Sequence, residues 1–149
     1  MKQNLLNLKI AVDFDGTIVE HRYPDIGKEI LFSIETLKML QEKGCQLILW
    51  TYRSGKELDE AVEFCRSRGL EFYAVNKNYP EEIYDESISR KVNADIFIDD
   101  RNLGGLPEWG LIWQMLDPDN YDANKLKAKG IFQNSGLNKL FQFLRPKSN

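Results

Sequence analysis

Four short apolar runs, separated by longer segments rich in polar residues, limit what this sequence can fold into. The runs read LKIAVDF, CQLILW, FYAV and ADIFID, and their apolar residues are largely continuous rather than alternating with polar ones. Such runs are typical of strands that are covered on both faces. The sequence therefore predicts a central, mostly parallel sheet.

Helices are predicted between these strands. A stripe with spacings of three and four residues predicts a first helix that Gly44 ends, and its members are Ile26, Ile30, Ile34, Leu37 and Leu40. Ser54 is expected to cap a second helix, which ends at Gly69. A short helix is expected between Pro80 and Val92, and a final amphipathic helix is expected on Leu137, Leu140, Phe141 and Leu144.

The alternation of strands and helices indicates a Rossmann-like α/β fold, a three-layer sandwich around the sheet. With 149 residues, of which 42% are hydrophobic, the chain is expected to form a single domain over 1–149. Residues 117–149 are expected to form a helical segment that covers the sheet. The two cysteines, Cys45 and Cys65, lie in apolar patterns and are expected to be reduced packing thiols.

Charge and hydropathy narrow the classes of function. A net charge of -3 disfavours nonspecific binding to nucleic acid, because it supplies no broad cationic field for a phosphate backbone. No stretch approaches the roughly 18 uninterrupted apolar residues of a membrane span, and no signal sequence precedes the first acid. We therefore expect a cytoplasmic, soluble protein.

Acidic side chains follow the first and the fourth predicted strands. Because the carboxyl ends of parallel strands line one crevice, we expect the residues after these strands to meet there: Asp13, Asp15, Thr51, Asp99 and Asp100. Four converging carboxylates repel one another unless a cation neutralises them. Carboxylate ligands without His or Cys favour Mg²⁺, which often completes its shell with a phosphate oxygen. The pattern predicts a magnesium site that accepts a phosphorylated substrate.

This combination resembles the haloacid dehalogenase-like (HAD) superfamily of phosphatases and phosphotransferases. The first signature of that superfamily is an apolar strand that ends D-x-D-G-T, which matches residues 13–17 completely. Thr51 matches the Ser/Thr after the second strand, a lysine precedes the fourth strand, and the sequence IDD at 98–100 matches the terminal acidic pair. The resemblance spans residues 8–103 and implies a HAD-like fold.

The resemblance also implies a mechanism. Asp13 is expected to attack phosphorus and to become an aspartyl phosphate, which water then hydrolyses. Asp15 is expected to protonate the leaving oxygen and later to deprotonate the water, with burial beside other acids raising its proton affinity. Gly16 is expected to let the chain turn so that nearby amides face the phosphate.

The remaining site residues are carried over from the same resemblance. Thr51 is expected to offer its hydroxyl to the phosphoryl oxygens, and Lys91 to neutralise their charge, with Lys77 as the rival lysine. The expected metal is Mg²⁺, and its expected ligands are Asp13, the backbone carbonyl of Asp15, Asp99 and Asp100.

The chain has no room for the cap domain that many relatives insert beside the site. An uncapped site stays open, which suits a bulky phosphorylated substrate such as a nucleic-acid end or a phosphoprotein, although a small phosphometabolite remains an alternative. A homo-oligomer in which a neighbouring subunit closes the site is a further alternative. The competing interpretation is an inactive or catalytically weak HAD-like module that binds a phosphorylated partner.

Overall fold

A computed structural model describes residues 5–117, which form a four-stranded sheet flanked by helices. The strands are β1 (Lys9–Val12), β2 (Gln46–Leu49), β3 (Ala74–Val75) and β4 (Ile96–Ile98). Their order in the sheet is β3-β2-β1-β4, and all three neighbouring pairs are parallel. The predicted parallel sheet is therefore confirmed, and β1 and β4 lie side by side although they are far apart in sequence.

Three helices complete the described part of the chain. They are α1 (Ser33–Glu42), α2 (Gly55–Arg66) and α3 (Trp109–Leu116). Helix α1 contacts both β2 and α3. Ser54 occupies the position before α2, as predicted, but its side chain makes no capping hydrogen bond. The arrangement is a small α/β fold with an all-parallel sheet, consistent with a Rossmann-like architecture.

Both faces of the two central strands are buried. On one face Ala11 pairs with Ile48, which pairs with Ala74, and these side chains pack with Val92 in one apolar cluster. On the other face the fully buried side chains are Ile10, Val12, Leu47 and Leu49. Burial on both faces explains why the runs are continuous in apolar residues rather than alternating.

The first helix begins seven residues later than the stripe from Ile26 predicts. Residues 18–30 instead form an excursion that returns on itself, with an antiparallel bridge between Val19 and Glu29. Gly27 fits inside it because a Cβ there would lie 1.9 Å from the backbone oxygen of Glu20. The hydroxyl of Ser33 donates to the backbone oxygen of Ile18 at 3.0 Å, and α1 starts from that anchored residue.

The short helix predicted between Pro80 and Val92 is wrong, because residues 80–92 contain only turns, bends and irregular backbone. Side-chain carboxylates accept from backbone N–H groups within this segment and just before it. Glu82 accepts from the backbone N–H of Asn78 at 2.8 Å, and Asp85 accepts from that of Ser87 at 2.7 Å. Such local bonds compete with a helix.

The structure bears on two further predictions, and a third falls outside the residues that it describes. Cys45 and Cys65 are buried free thiols, as predicted. Over residues 5–117, no helix has the length and apolar character that a membrane crossing requires. The final helix predicted on Leu137, Leu140, Phe141 and Leu144 lies outside the described residues.

Candidate functional site

Three carboxylates meet at the carboxyl edge of the sheet. Asp13 directly follows β1, and Asp99 and Asp100 follow β4, its hydrogen-bonded neighbour. One carboxylate oxygen from each residue lies within 4.8 Å of the others. The backbone N–H of Asp13 donates to the backbone oxygen of Ile98 at 2.9 Å, which fixes the two loops together. The predicted convergence of these three acids is therefore observed.

Thr17 connects the two acidic loops, and sequence reasoning assigned it no role. Its hydroxyl donates to Oδ2 of Asp13 at 3.3 Å and accepts from the backbone N–H of Asp100 at 3.1 Å. The indole N–H of Trp109 in turn donates to the backbone oxygen of Thr17 at 3.0 Å. Thr17 is fully buried, so this small network is rigid. Its position in the D-x-D-G-T motif was the available signal.

Gly16 leaves room for the carboxylate of Asp100 to lie close to the backbone of the loop after β1. Its φ of 85° lies in the left-handed region, and an added Cβ would lie 2.3 Å from Oδ2 of Asp100. Any side chain here would push Asp100 out of the cluster. The positive φ agrees with the turn predicted at Gly16, its role in facing amides toward a phosphate stays a prediction, and the structure adds a requirement of room for a carboxylate.

The cluster fits a divalent cation on two further observations. Oδ1 of Asp100 is buried and has no hydrogen-bond partner, which is costly for a carboxylate oxygen unless something else satisfies it. The pKa of Asp13 is raised to about 7, chiefly by burial and also by the charges of Asp99 and Asp100, while the backbone N–H of Phe14 and the Thr17 hydroxyl act in the opposite direction. Carboxylate oxygens are the ligands that Mg²⁺ prefers.

We expect Mg²⁺ to stabilise the protein, and to do so more strongly at pH 8 than at pH 6. Because the pKa of Asp13 is about 7, a cation at pH 6 must displace a proton, which weakens apparent binding about tenfold. At ten times its dissociation constant, Mg²⁺ should raise the melting temperature by about 4 °C. Thermal melts against a chelator blank measure this shift.

Asp99→Asn should remove most of the shift, whereas Asp59→Asn on the exposed surface of α2 should retain it. An equal shift in wild type and Asp99→Asn, or one that is independent of pH, would contradict a site made by these carboxylates.

Asp15 lies apart from the three clustered side chains, in a bidentate pair with Arg53. Nε of Arg53 donates to one carboxylate oxygen at 2.7 Å, and Nη2 donates to the other at 2.8 Å. The Arg53 side chain is 0% exposed. The expectation that Asp15 is buried beside other acids is therefore incomplete, since its immediate partner is a cation that donates to both of its oxygens.

Arg53 is among the most buried side chains of residues 5–117, although arginine is usually exposed. Besides Asp15 it donates to the backbone oxygens of Pro24 and Asp25, at 2.9 and 2.8 Å, in the excursion that follows β1. Its guanidinium also lies 5.0 Å from the ring centroid of Phe14. Arg53 thus joins the loop after β2 to the loop after β1, and no local pattern signals this.

Thr51 follows the end of β2 and is held by a residue that sequence reasoning missed. The side-chain oxygen of Asn76 accepts from the backbone N–H of Thr51 at 2.8 Å, and Asn76 itself has a positive φ of 51°, which asparagine tolerates better than most residues. The hydroxyl oxygen of Thr51 accepts from the backbone N–H of Arg53 at 3.2 Å, so its proton remains free to donate elsewhere.

The two lysines that the sequence offers as phosphate ligands, Lys91 and Lys77, lie in different surroundings. Lys91 is exposed, and its Nζ lies 4.9 Å from the ring centroid of Phe97. A cavity of about 790 Å³ opens beside the acids, and the basic side chains among its lining residues include Lys77, Arg90 and Arg101, while Lys91 is not among them. Lys77, the rival lysine, and Arg90 therefore line the cavity, whereas Lys91 does not.

The fold and this cluster define a class: a small parallel α/β protein whose sheet edge carries the donor set of a divalent-cation site. A solved structure of a conserved protein from Bacteroides thetaiotaomicron is 61% identical to this chain, with a TM-score of 0.72. The match covers 77% of this chain and 93% of the other. The chain belongs to the same family as that conserved Bacteroides protein. No family model and no curated protein matches the sequence.

Proposed function

We propose that the protein is a HAD-like, Mg²⁺-dependent hydrolase of phosphate monoesters. The observation that carries this proposal is the acidic cluster, in which three carboxylates lie within 4.8 Å and one of their buried oxygens has no partner. A site that accumulates unsatisfied negative charge at the carboxyl edge of a parallel sheet is suited to a cation and an anionic ligand. The complete D-x-D-G-T motif adds the chemistry.

Asp13, Asp99 and Asp100 are the side chains that would hold the metal, together with the backbone carbonyl of Asp15 from the resemblance. Bound Mg²⁺ would neutralise the carboxylates and draw the substrate phosphate to the site. The raised pKa of Asp13 fits this role, because a group whose ionised form is unfavourable without a cation is one that a cation activates.

Asp13 is the proposed nucleophile. One of its carboxylate oxygens forms a bond to phosphorus while the bond from phosphorus to the ester oxygen breaks, giving an aspartyl phosphate and an alcohol or phenol. The hydrogen bond from Thr17 to Oδ2 holds the carboxylate in a fixed orientation. A positioned nucleophile lowers the entropy cost of the first step.

Asp15 is the proposed general acid and base. It gives a proton to the departing ester oxygen, then accepts one from the water that attacks phosphorus, while the bond from phosphorus to Asp13 breaks and inorganic phosphate leaves. Both of its oxygens accept from Arg53. Each oxygen keeps a second lone pair, so the proposed proton transfers can use it while the pair with Arg53 stays in place.

The remaining groups contact the phosphoryl oxygens. Thr51 can donate its hydroxyl proton, since its oxygen already accepts from the backbone of Arg53. Positive charge is proposed to come from Lys77 or Arg90, which line the cavity, rather than from Lys91 as the sequence resemblance implied. Preorganised donors of this kind stabilise charge that develops in the transition state.

One observation favours a second candidate function, a module that binds a phosphorylated partner without turnover. Arg53 donates to both carboxylate oxygens of Asp15 and thereby fixes the direction in which their remaining lone pairs point. If those lone pairs face away from a bound ester, the site would bind a phosphate but would neither expel the leaving group nor activate water.

We expect nitrophenyl phosphate to be hydrolysed over many turnovers with millimolar Mg²⁺, and the rate to fall to background after chelation. Restoring Mg²⁺ should restore the rate, because the carboxylates survive metal removal. Released inorganic phosphate gives the measurement, Asp99→Asn the inactive comparison, and Asp59→Asn the active control. Absence of turnover in wild type, with inorganic phosphate still raising the melting temperature, would favour the binding module instead.

A further inference from the structure

An exposed aromatic side chain stands next to the proposed site. Tyr52 is 90% exposed and directly follows Thr51 in the loop after β2. A ring this exposed removes almost no apolar surface from water and therefore contributes little to folding. Its ring centroid lies 6.1 Å from that of Tyr23, at an interplanar angle of 72°, so the two rings form an edge-to-face pair.

Tyr23 is held in place from the inside of the protein. The guanidinium carbon of Arg53 lies 5.3 Å from the ring centroid of Tyr23, and Arg53 is itself fixed by its bidentate pair with Asp15. The backbone oxygen of Pro24, the next residue, accepts from the same guanidinium. Tyr23 is therefore preorganised, and a ligand that contacts it loses little of its binding energy to ordering the protein.

Both tyrosines line the cavity that contains Asp13. Its volume of about 790 Å³ suits a drug-sized ligand and far exceeds the needs of a phosphate group alone. Lys77 and Arg90 line the same cavity, as do the candidate metal ligands Asp13 and Asp99. The cavity thus combines the proposed phosphate site with two tyrosine rings.

We propose that the site selects phosphate monoesters whose leaving group carries a flat aromatic ring, and that Tyr23 and Tyr52 bind this ring. The inference rests on the proposed function, since it names the substrate class of the same site. Aryl phosphates and nucleoside monophosphates both offer a phosphate and a planar ring. Rings of either kind gain binding energy by stacking on tyrosine, largely independently of which ring is present.

Three substrates test the proposal with Mg²⁺ present: nitrophenyl phosphate, adenosine monophosphate and glycerol phosphate, which has no ring. We expect Tyr52→Ala to raise KM for at least one ring-bearing substrate about tenfold more than it raises KM for glycerol phosphate. Tyr52→Trp should restore most of the loss because it keeps a large ring. The ring-bearing substrate with the greater loss identifies the aryl or the nucleotide source.

Tyr79→Ala is the matched control, because Tyr79 is an exposed tyrosine outside the lining of the cavity, and all three KM values should stay within twofold of wild type. Equal losses for ring-bearing and ringless substrates, or no loss, would overturn the aromatic inference while phosphatase activity stands. A change in oligomeric state on Tyr52→Ala without a selective KM effect would overturn it too. Failure of wild type to hydrolyse any of the three defeats the proposed function and the inference with it.

Discussion

Asp13→Asn is expected to reduce phosphate release by at least about 10³-fold and, in the same protein, to increase the free energy of unfolding at pH 8. The first effect follows because an amide is not a nucleophile toward phosphorus, and loss of a nucleophile removes most of the catalysis that depends on it. The second follows because the substitution removes a charge that is buried beside Asp99 and Asp100. Opposite effects on activity and stability are characteristic of functional sites.

The pH dependence of the gain in unfolding free energy distinguishes it from a stabilisation that is equal at every pH. The pKa of Asp13 is raised from 3.8 to about 7 by burial, so the native protein holds a proton there that the unfolded chain has already released. The wild type therefore loses stability as the pH rises from about 4 to 7. The Asp13→Asn side chain has no proton to lose, so the advantage of the variant is absent below pH 4, grows through this window and is complete above pH 7.

Urea unfolding in the presence of a chelator measures the gain, which we expect to be on the order of 1–3 kcal/mol at pH 8. Asp59→Asn, at an exposed position on α2, is the matched control and should differ from wild type by less than about 0.5 kcal/mol. A destabilised Asp13→Asn protein at pH 8, or one that still turns over, would be inconsistent with a strained nucleophile at this position.

The sheet and three of the acids could be predicted because both follow from local sequence. Burial on both faces makes a strand continuous in apolar residues, as in β2, and parallel strands bring their carboxyl ends to one edge. Asp13 and Asp99 are thus brought together by topology alone, even though 85 residues lie between them. The general location of the site needed only the order of the elements.

Other features depend on contacts that a single sequence does not encode locally. Ile26 and Ile30 match a helical period, so the sequence predicts helix within the excursion at 18–30. The observed course of the excursion is instead determined by pairing with residues that directly follow β1. Lys91 precedes β4 as the resemblance expects, but its side chain lies over Phe97. In both cases the local sequence pattern is present, but tertiary contacts determine the structure.

Asn76 and Arg53 show the same limit for the site. Each acts on a residue more than twenty positions away, Asn76 on Thr51 and Arg53 on Asp15. Neither belongs to the motifs that carry the resemblance, so only the folded arrangement reveals that the loops of the candidate site are tied to one another. The sequence predicts which groups do the proposed chemistry, and the structure adds the groups that hold them.

Arg53→Met is expected to cost about 3–5 kcal/mol of unfolding free energy, the largest stability loss that we anticipate for a single substitution in the site. Removing one partner of a buried ion pair leaves the other as an uncompensated charge, and Asp15 is 9% exposed. The same change removes the donors to the backbone oxygens of Pro24 and Asp25. Such a loss is a large fraction of the stability of about 5–15 kcal/mol that is typical of a folded domain.

A double-mutant cycle separates the two causes, with each free energy measured by urea unfolding. If the stranded charge dominates, Asp15→Asn added to Arg53→Met should recover at least about 1 kcal/mol, although Asp15→Asn alone destabilises the wild type. Arg66→Met is the control, because Arg66 pairs with Glu63 on an exposed helix surface and should cost less than about 1 kcal/mol. Should Arg53→Met cost no more than Arg66→Met, the buried pair would not be holding the two loops of the site together.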